Sequence, residues 1–87
     1  MDVLSVIHLF KELDDDEVLR IELINGSKIY YLPSDYVFEY SSLIKIVKTI
    51  KKNKIQEIII NPNAIALVCT MSRETYDLKL QRGEVYV

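Results

Sequence analysis

The sequence predicts an α+β domain in which a mostly antiparallel sheet packs against helices. One observation is a change in the spacing of apolar residues, from every second residue over residues 18–32 to helical spacing over 40–53 and back again after residue 55. The other is the dipeptide Asn25-Gly26, which suits the tight turn of a β-hairpin. With 87 residues the chain has room for one domain, residues 1–87.

Residues 3–13 are interpreted as an N-terminal helix. Their apolar side chains have helical spacing, and Asp2 can cap the first turn. A strand is the alternative, because residues 3–10 also alternate and because acids at 14–17 follow the helix, where its dipole disfavours them. We expect the segment to cover part of the sheet.

Residues 18–32 are predicted to form a β-hairpin. If Ile24 pairs with Ser27 across a two-residue turn, Arg20 lies opposite Tyr31. One face is then apolar enough for the core and carries Leu19, Ile21, Leu23, Tyr30 and Leu32. The other face is half polar and carries Arg20, Glu22, Ile29 and Tyr31. Because tyrosine and arginine are favoured at protein interfaces, the candidate protein-contact residues are Arg20, Ile29 and Tyr31.

The main helix is predicted at about 40–53, where an apolar stripe consists of Tyr40, Leu43, Ile46, Val47 and Ile50. Other segments are predicted as strands: 56–60, 64–70, 75–80 and, as an optional edge strand, 84–87. Segments 56–60 and 64–70 are joined by a turn at Asn61-Pro62-Asn63. Since both are apolar on both faces, we expect them at the centre of the sheet, covered on both sides.

Residues 45–54 form the most charged stretch, with five lysines in ten residues. On a helix, Lys45, Lys48 and Lys52 lie together opposite the apolar stripe and could contact phosphates. Against this use, the chain has a net charge of −2 and the stretch contains no arginine. The favoured interpretation is the solvent-facing side of an amphipathic helix. Residues 1–17 carry the opposite charge, with six acids against one lysine.

No sequence pattern typical of a catalytic, cofactor-binding or metal site is found. His8 has no cysteine or acid at a zinc-like spacing, and Cys69 lies in an apolar segment where cysteine behaves as a small hydrophobe. The contiguous acids at 14–17 do not match a calcium-binding loop. We therefore assign no catalytic residue, cofactor or metal ligand, and we expect no enzyme activity.

The function expected from these features is that of a small non-enzymatic accessory module that docks on another protein, with a homodimer as an option. The alternative is a small nucleic-acid-binding regulator that uses Lys45–Lys54. Frequent Ile, Lys, Asn and Tyr favour an AT-rich genome and a phage- or mobile-element-borne gene. The single cysteine, the non-basic N-terminus and the lack of a membrane-length apolar run predict a cytoplasmic protein, in a bacterium or a host cell, without a membrane partner.

Overall fold

The computed structural model describes residues 2–51 and 54–85. Within these residues the chain forms two helices and six strands in two antiparallel sheets, which confirms the α+β class. The elements are α1 Val3–Lys11, β1 Glu17–Leu23, β2 Lys28–Tyr31, β3 Tyr36–Tyr40, β4 Leu43–Lys51, β5 Lys54–Ile60, β6 Ile65–Ser72 and α2 Arg73–Gln81. A 3-10 turn at Pro62–Ala64 joins β5 to β6.

The strands are divided between two sheets of three. Sheet 1 has the order β2-β1-β6, and sheet 2 has the order β3-β4-β5. In sheet 1 the first and last strands are neighbours, with Glu17 opposite Ser72 and Leu23 opposite Ile65. The 3-10 turn therefore carries the chain from the edge of sheet 2 back to sheet 1.

The N-terminal segment is a helix, as predicted. The Asp2 side chain caps it by accepting a hydrogen bond from the Ser5 backbone N–H at 3.4 Å. The main core brings together the buried side of α1 and residues of both sheets: Val6, Ile7, Phe10, Leu19, Ile21, Tyr31, Val37, Ile44, Ile46 and Ile60. The helix thus covers apolar surface that two small sheets alone would leave exposed.

A part-buried ion pair, with side chains 12% and 8% exposed, connects the two sheets. Lys48 of β4 lies on the same strand face as Ile44 and Ile46, and its ammonium group reaches the Asp35 carboxylate between β2 and β3. The Lys48 Nζ also donates to the Tyr30 carbonyl oxygen at 2.7 Å. The same carboxylate oxygen of Asp35 accepts from the Leu32 N–H at 3.0 Å. Because these polar groups satisfy one another, the ammonium can lie beside the core.

The hairpin is present, but its predicted register is wrong by one residue. Ile21 lies opposite Ile29 and Leu19 opposite Tyr31. The loop has three residues rather than two, since Leu23 N–H donates to the Ser27 carbonyl at 2.9 Å and Gly26 takes a φ of 88°. A one-residue shift exchanges the faces of the second strand. Consequently Ile29 and Tyr31 face the main core, whereas Tyr30 and Leu32 lie on the opposite face.

The predicted helix at about 40–53 is wrong, because Tyr40 ends β3 and residues 43–51 form β4, while residues 52 and 53 lie outside the described residues. Ser41 and Ser42 have φ values of 49° and 65° and form the turn between the two strands. Residues 44–50 are rich in β-branched side chains, which favour strands. Since β4 carries apolar residues on both faces, some of them also fall at helical spacing. The segment forms a strand rather than a helix because it pairs with β3 and β5, and no local sequence pattern reveals this pairing.

The predicted strand at 75–80 is also wrong, because it lies in α2. Ser72 caps this helix, and its side chain accepts from the Thr75 N–H at 3.1 Å. The alternation of Tyr76, Leu78 and Leu80 is typical of a strand, but here it occurs within a helix. Only Tyr76 and Leu80 pack against the outer side of sheet 1, while Leu78 is exposed.

Two strands predicted at the sheet centre lie at its edges instead. β5 is the last strand of sheet 2 and β6 the last strand of sheet 1. Their apolar residues are therefore only partly covered, and Ile55, Ile59 and Leu67 are exposed. Of the optional strand at 84–87, residues 84 and 85 belong to no strand, and 86 and 87 lie outside the described residues.

We expect the substitution Phe10→Ala to lower the free energy of unfolding by about 3–5 kcal/mol, since it removes a ring that is 2% exposed. The matched control is Leu9→Ala on the exposed side of α1, which should change stability by less than about 1 kcal/mol. Urea unfolding followed by circular dichroism measures both. Equal losses for the two variants would show that α1 does not pack as described.

Lys48→Met should lower the free energy of unfolding by roughly 1–3 kcal/mol, because it leaves the part-buried Asp35 carboxylate without its cation. The double variant Lys48→Met, Asp35→Asn should recover part of this loss, since it removes the unpaired charge. Lys28→Met, at an exposed lysine of β2, is the control. The outcome that contradicts this ion pair is a Lys48→Met variant as stable as the control.

Candidate functional site

An aromatic surface lies on the side of sheet 2 that faces away from the core. The side chains of β3 alternate, so Val37 points inward while Tyr36, Phe38 and Tyr40 point outward. The strand register places Lys45 beside Phe38 and Ile59 on the other side of Lys45. We define the outer aromatic face as Tyr36, Phe38, Tyr40 and Ile59. Each of these four side chains is between 50% and 62% exposed.

The β3–β4 turn positions this face. Tyr40 lies opposite Leu43, and only Ser41 and Ser42 separate them. Both serines have positive φ, which matches the two-residue hairpin turn whose twist fits that of the strands. The short turn fixes the register of β3 against β4. Because side chains alternate along a strand, all three aromatic residues of β3 then lie on the same side of sheet 2.

The charges on the outer aromatic face cancel. The Lys45 Nζ lies 3.4 Å from the Glu57 Oε1, and it lies 5.2 Å from the centre of the Tyr40 ring. An ammonium over an aromatic ring is attracted to the negative face of the ring. Lysine and glutamate are thus held between the apolar side chains as a neutral pair. The face can lose its water without leaving a single unpaired charge.

The outer sides of the two sheets differ in their cover. On sheet 1, α2 and Val85 cover the outer side: Tyr76 and Val85 pack with Val18 in a second buried cluster. Partly buried neighbours of that cluster are Tyr30, Leu32, Met71 and Leu80. On sheet 2, no helix of the described residues covers the outer aromatic face. An exposed row of three aromatic residues is unusual for a surface that faces only water.

The sequence-predicted contact residues do not share a surface. Tyr31 is 5% exposed, and its ring lies edge-on to that of Phe10 with 4.8 Å between their centres. Ile29 packs against the same core. Arg20 is half-buried on the opposite face, beside Tyr30 and Cys69 in the register. Its Nε is buried and has no hydrogen-bond partner within the described residues.

The lysines proposed for phosphate contact are also separated. Lys45 and Lys48 lie on opposite faces of β4, because they are three positions apart and side chains alternate along a strand. Lys52 lies outside the described residues. A cleft of about 290 Å³ between the sheets does bring Lys48 close to Lys28 and Gln56. The Lys48 charge, however, is already paired with Asp35.

A second groove, of about 520 Å³, lies between α1 and the β1–β6 side of sheet 1. Its lining is apolar with an acidic rim and consists of Leu9, Glu12, Leu13, Glu17, Leu19, Val68, Cys69 and Thr70. Cys69 is half-buried here rather than fully buried. Three consecutive residues of β6 border the groove together with Glu17 and Leu19 of the neighbouring strand β1, and we call it the groove beside β6.

The described residues contain no group of three or more His, Cys, Asp or Glu side chains placed to hold a metal ion. Neither α1 nor α2 is long and apolar enough to cross a membrane. What the surfaces of the described residues offer is apolar contact area, on the outer aromatic face and in the groove beside β6. The signal for the outer aromatic face was present in the sequence as aromatic residues at every second position of "YVFEY".

Burial raises the pKa of two tyrosines. Desolvation is the larger cause for Tyr31, and the nearby negative charge of Asp35 adds to it. Desolvation also dominates for Tyr76, where the positive charge of Arg73 opposes the rise in pKa. The Tyr31 hydroxyl donates a hydrogen bond to the Asp35 carbonyl oxygen at 3.0 Å. The neutral phenol of Tyr31 is therefore part of the same network as Lys48.

We expect alkaline pH to destabilise the fold partly through Tyr31. The pKa of Tyr31 in the folded state is raised above 10.0. The contribution of the neutral Tyr31 phenol to the free energy of unfolding is therefore complete below pH 10 and is lost as pH rises further. Tyr31→Phe should cost about 1 kcal/mol at neutral pH through the lost hydrogen bond. The difference in stability between this variant and the wild type should shrink above pH 10. Urea unfolding between pH 8 and 11 tests this, with exposed Tyr36→Phe as the control; a constant difference contradicts it.

Comparison of the chain with known protein families, with curated proteins and with solved structures finds no match. A function for the chain therefore has to be argued from the chemistry of its own surfaces. The outer aromatic face and the groove beside β6 are the two surfaces whose composition calls for an explanation beyond folding.

Proposed function

We propose that the protein is a small non-enzymatic accessory module that docks on another protein through the outer aromatic face. The observation that carries this proposal is the difference between the two sheets. Sheet 1 has its outer side covered by α2, whereas the aromatic outer side of sheet 2 has no such cover within the described residues. A partner that covers this face gains the burial that α2 provides on sheet 1.

The available area suits a specific but modest contact. Aromatic side chains bury about 150–250 Å² each, so the half-exposed face offers roughly 400 Å² of side-chain surface. At about 25 cal/mol per Å², its burial contributes on the order of 10 kcal/mol before the costs of association. Those costs are about 4–15 kcal/mol. The aromatic residues therefore act as the centre of an interface whose polar rim must supply further contacts.

The partner surface that fits best is largely apolar and close to neutral. Lys45 and Glu57 already pair with each other, so a strongly charged partner gains little from either. Aliphatic or aromatic side chains can pack on the rings of Tyr36 and Phe38, while the tyrosine hydroxyls reach the rim. Central aromatic residues of this kind commonly dominate the binding energy.

The proposed setting is the interior of a bacterium or of an infected host cell, with a phage or mobile element as the source of the gene. The single cysteine supports a reducing compartment, because no disulfide can form within the chain. The abundance of Ile, Lys, Asn and Tyr supports an AT-rich genome. Neither feature bears on the identity of the partner.

A second candidate function is that of a nucleic-acid-binding regulator. Aromatic side chains in a row beside a lysine resemble the platforms on which single-stranded bases stack. Two contacts weigh against this use: Glu57 offsets the Lys45 charge, and Lys48 is committed to Asp35. Binding to phosphates depends on unpaired positive charges, and the affinity that they give falls steeply as the salt concentration rises. We therefore place protein docking first.

Docking predicts a clear order among variants. The double substitution Tyr36→Ala, Phe38→Ala should weaken binding by about 30-fold or more, the loss typical of central aromatic contacts. The matched control is Ile24→Ala, which is 73% exposed on the hairpin loop and lies away from the outer aromatic face. A partner isolated from the native host by affinity capture should be titrated against all three proteins. Equal affinity of the aromatic variant and the control contradicts docking through this face.

The nucleic-acid alternative is decided by gel shift with mixed single-stranded DNA and RNA. Docking predicts no binding at micromolar protein in near-physiological salt. Micromolar binding that weakens steeply with salt and is lost in Lys45→Glu would overturn the preferred function and favour the regulator.

A further inference from the structure

Each three-stranded sheet has two edge strands with an unpaired outer edge in the described part of the chain, β2 and β6 in sheet 1 and β3 and β5 in sheet 2. The longer edge strand is β6 in sheet 1, with eight residues, and β5 in sheet 2, with seven. The residues of β6, IALVCTMS, include no charged residue and no proline, and β5 contains no proline. Monomeric proteins usually protect such edges with charges, prolines or a covering element, because a free edge pairs readily with another strand. A long uncharged edge therefore indicates a strand partner.

We propose that β5 of one copy of this chain pairs with β6 of the next copy in antiparallel orientation. The two strands have similar lengths, seven and eight residues. Their union continues sheet 2 of one copy into sheet 1 of the next. This inference does not depend on the proposed docking function, since edge pairing uses backbone groups rather than the outer aromatic face.

The distribution of charge favours this orientation. The end of β6 at Ser72 is acidic: Glu17 lies opposite Ser72, and the Asp16 carbonyl accepts a hydrogen bond from the Arg73 N–H at 2.7 Å. The basic residue nearest to this end, Arg73, is already paired with Asp77 at 3.1 Å. Antiparallel pairing brings the beginning of β5, with exposed Lys54, to this acidic end. Parallel pairing would place Lys54 at the uncharged beginning of β6.

The sequence charges on either side of the contact agree with this arrangement. On the acidic side, residues 1–17 carry six acids and one lysine; on the basic side Lys54 is exposed at the start of β5, whereas Lys45 and Lys48 are already paired with Glu57 and Asp35. A second copy is thus a partner with complementary charge that is always present at the same concentration. No separate basic protein is needed to neutralise the acidic end.

The groove beside β6 provides room for a side chain of the incoming strand. It has a volume of about 520 Å³, is bordered by Val68, Cys69 and Thr70, and carries Glu17 at its rim. On β5, Ile55 is 68% exposed and follows Lys54 directly. In antiparallel pairing Ile55 comes to the acidic end together with Lys54. Lys54 then lies near the acids, and Ile55 lies near the apolar lining of the groove.

The proposed contact is head-to-tail, because the two joined surfaces are different. Only the two end copies keep a free edge, β5 at one end and β6 at the other, until a ring closes, and without closure the assembly extends as a filament. Either result has a mass well above that of one 10.2 kDa chain. Its strength should fall with salt, since the charges at the contact are exposed in the separate chains.

Charge reversal tests the contact directly. Sedimentation velocity and light scattering of the full chain should show that Lys54→Glu and Asp16→Lys each weaken association at least tenfold at low salt. The double variant that carries both changes should recover most of the affinity. Lys28→Glu, at an exposed lysine of β2, is the control and should leave association unchanged. A wild-type protein that stays at 10.2 kDa at every concentration overturns the proposal, as does a double variant no better than the singles.

Cys69 supplies a second readout, because it borders the groove that the incoming strand would cover. The rate of its reaction with a thiol reagent should fall as the wild-type protein assembles and should stay high in Lys54→Glu. Phe38→Ala separates the two proposals. If it abolishes self-association while Lys54→Glu does not, the edge contact is refuted and the outer aromatic face binds a second copy instead.

Discussion

The paired charges of Lys48 and Asp35 determine how the two sheets are placed. A lysine on the inner side of a strand is costly to bury, and the cost is met only where acceptors are fixed in advance. Here they are the Asp35 carboxylate and the Tyr30 carbonyl oxygen. Asp35 is itself held by the Leu32 N–H, in the short connection between β2 and β3. The pair thus ties the middle strand of sheet 2 to the edge of sheet 1.

This constraint has consequences for the surfaces. Because β4 is anchored through Lys48 on its inner side, its outer side carries Lys45. The aromatic residues of β3 align beside Lys45 and face away from the core. The same anchoring holds the β2–β3 side of the molecule together. On the other side of the molecule, the edge strands β5 and β6 are the longest edges of the two sheets.

The sequence predicts well those elements whose signals are local. The α1 helix follows from its apolar spacing and the Asp2 cap, and the hairpin follows from Asn25-Gly26. It predicts poorly where a strand has apolar residues on both faces. In β4, the residues Ile46 and Val47 fit a helical stripe and a strand equally well, and the choice is made by pairing with strands elsewhere in the chain. In α2, alternation hid a helix that the Ser72 cap would have revealed.

Prediction of the candidate site required still finer detail, namely the length of the hairpin loop. Whether Tyr30 or Tyr31 faces the core is decided by one extra loop residue at the hairpin, which the Asn-Gly signal alone does not exclude. The sequence interpretation therefore put a contact surface on Tyr31, which is buried and bonded to Asp35. The outer aromatic face was missed because the helix predicted at about 40–53 begins at the last residue of β3, and no strand was predicted before it. Its alternation becomes meaningful only when Ser41 and Ser42 are seen to turn the chain.

The two proposed contacts use different chemistry and can operate together. Edge pairing engages backbone N–H and C=O groups in the plane of the sheets, while docking engages side chains that project from the outer side of sheet 2. A head-to-tail assembly would therefore present one outer aromatic face per copy, and every face would have the same orientation relative to the joined sheets. A single face gives modest affinity, because its burial is comparable to the cost of association. Repetition changes this balance, since after the first contact each further contact forms at a high effective concentration. Assembly through β5 and β6 would thus convert a weak docking surface into a strong one without any change in the surface itself.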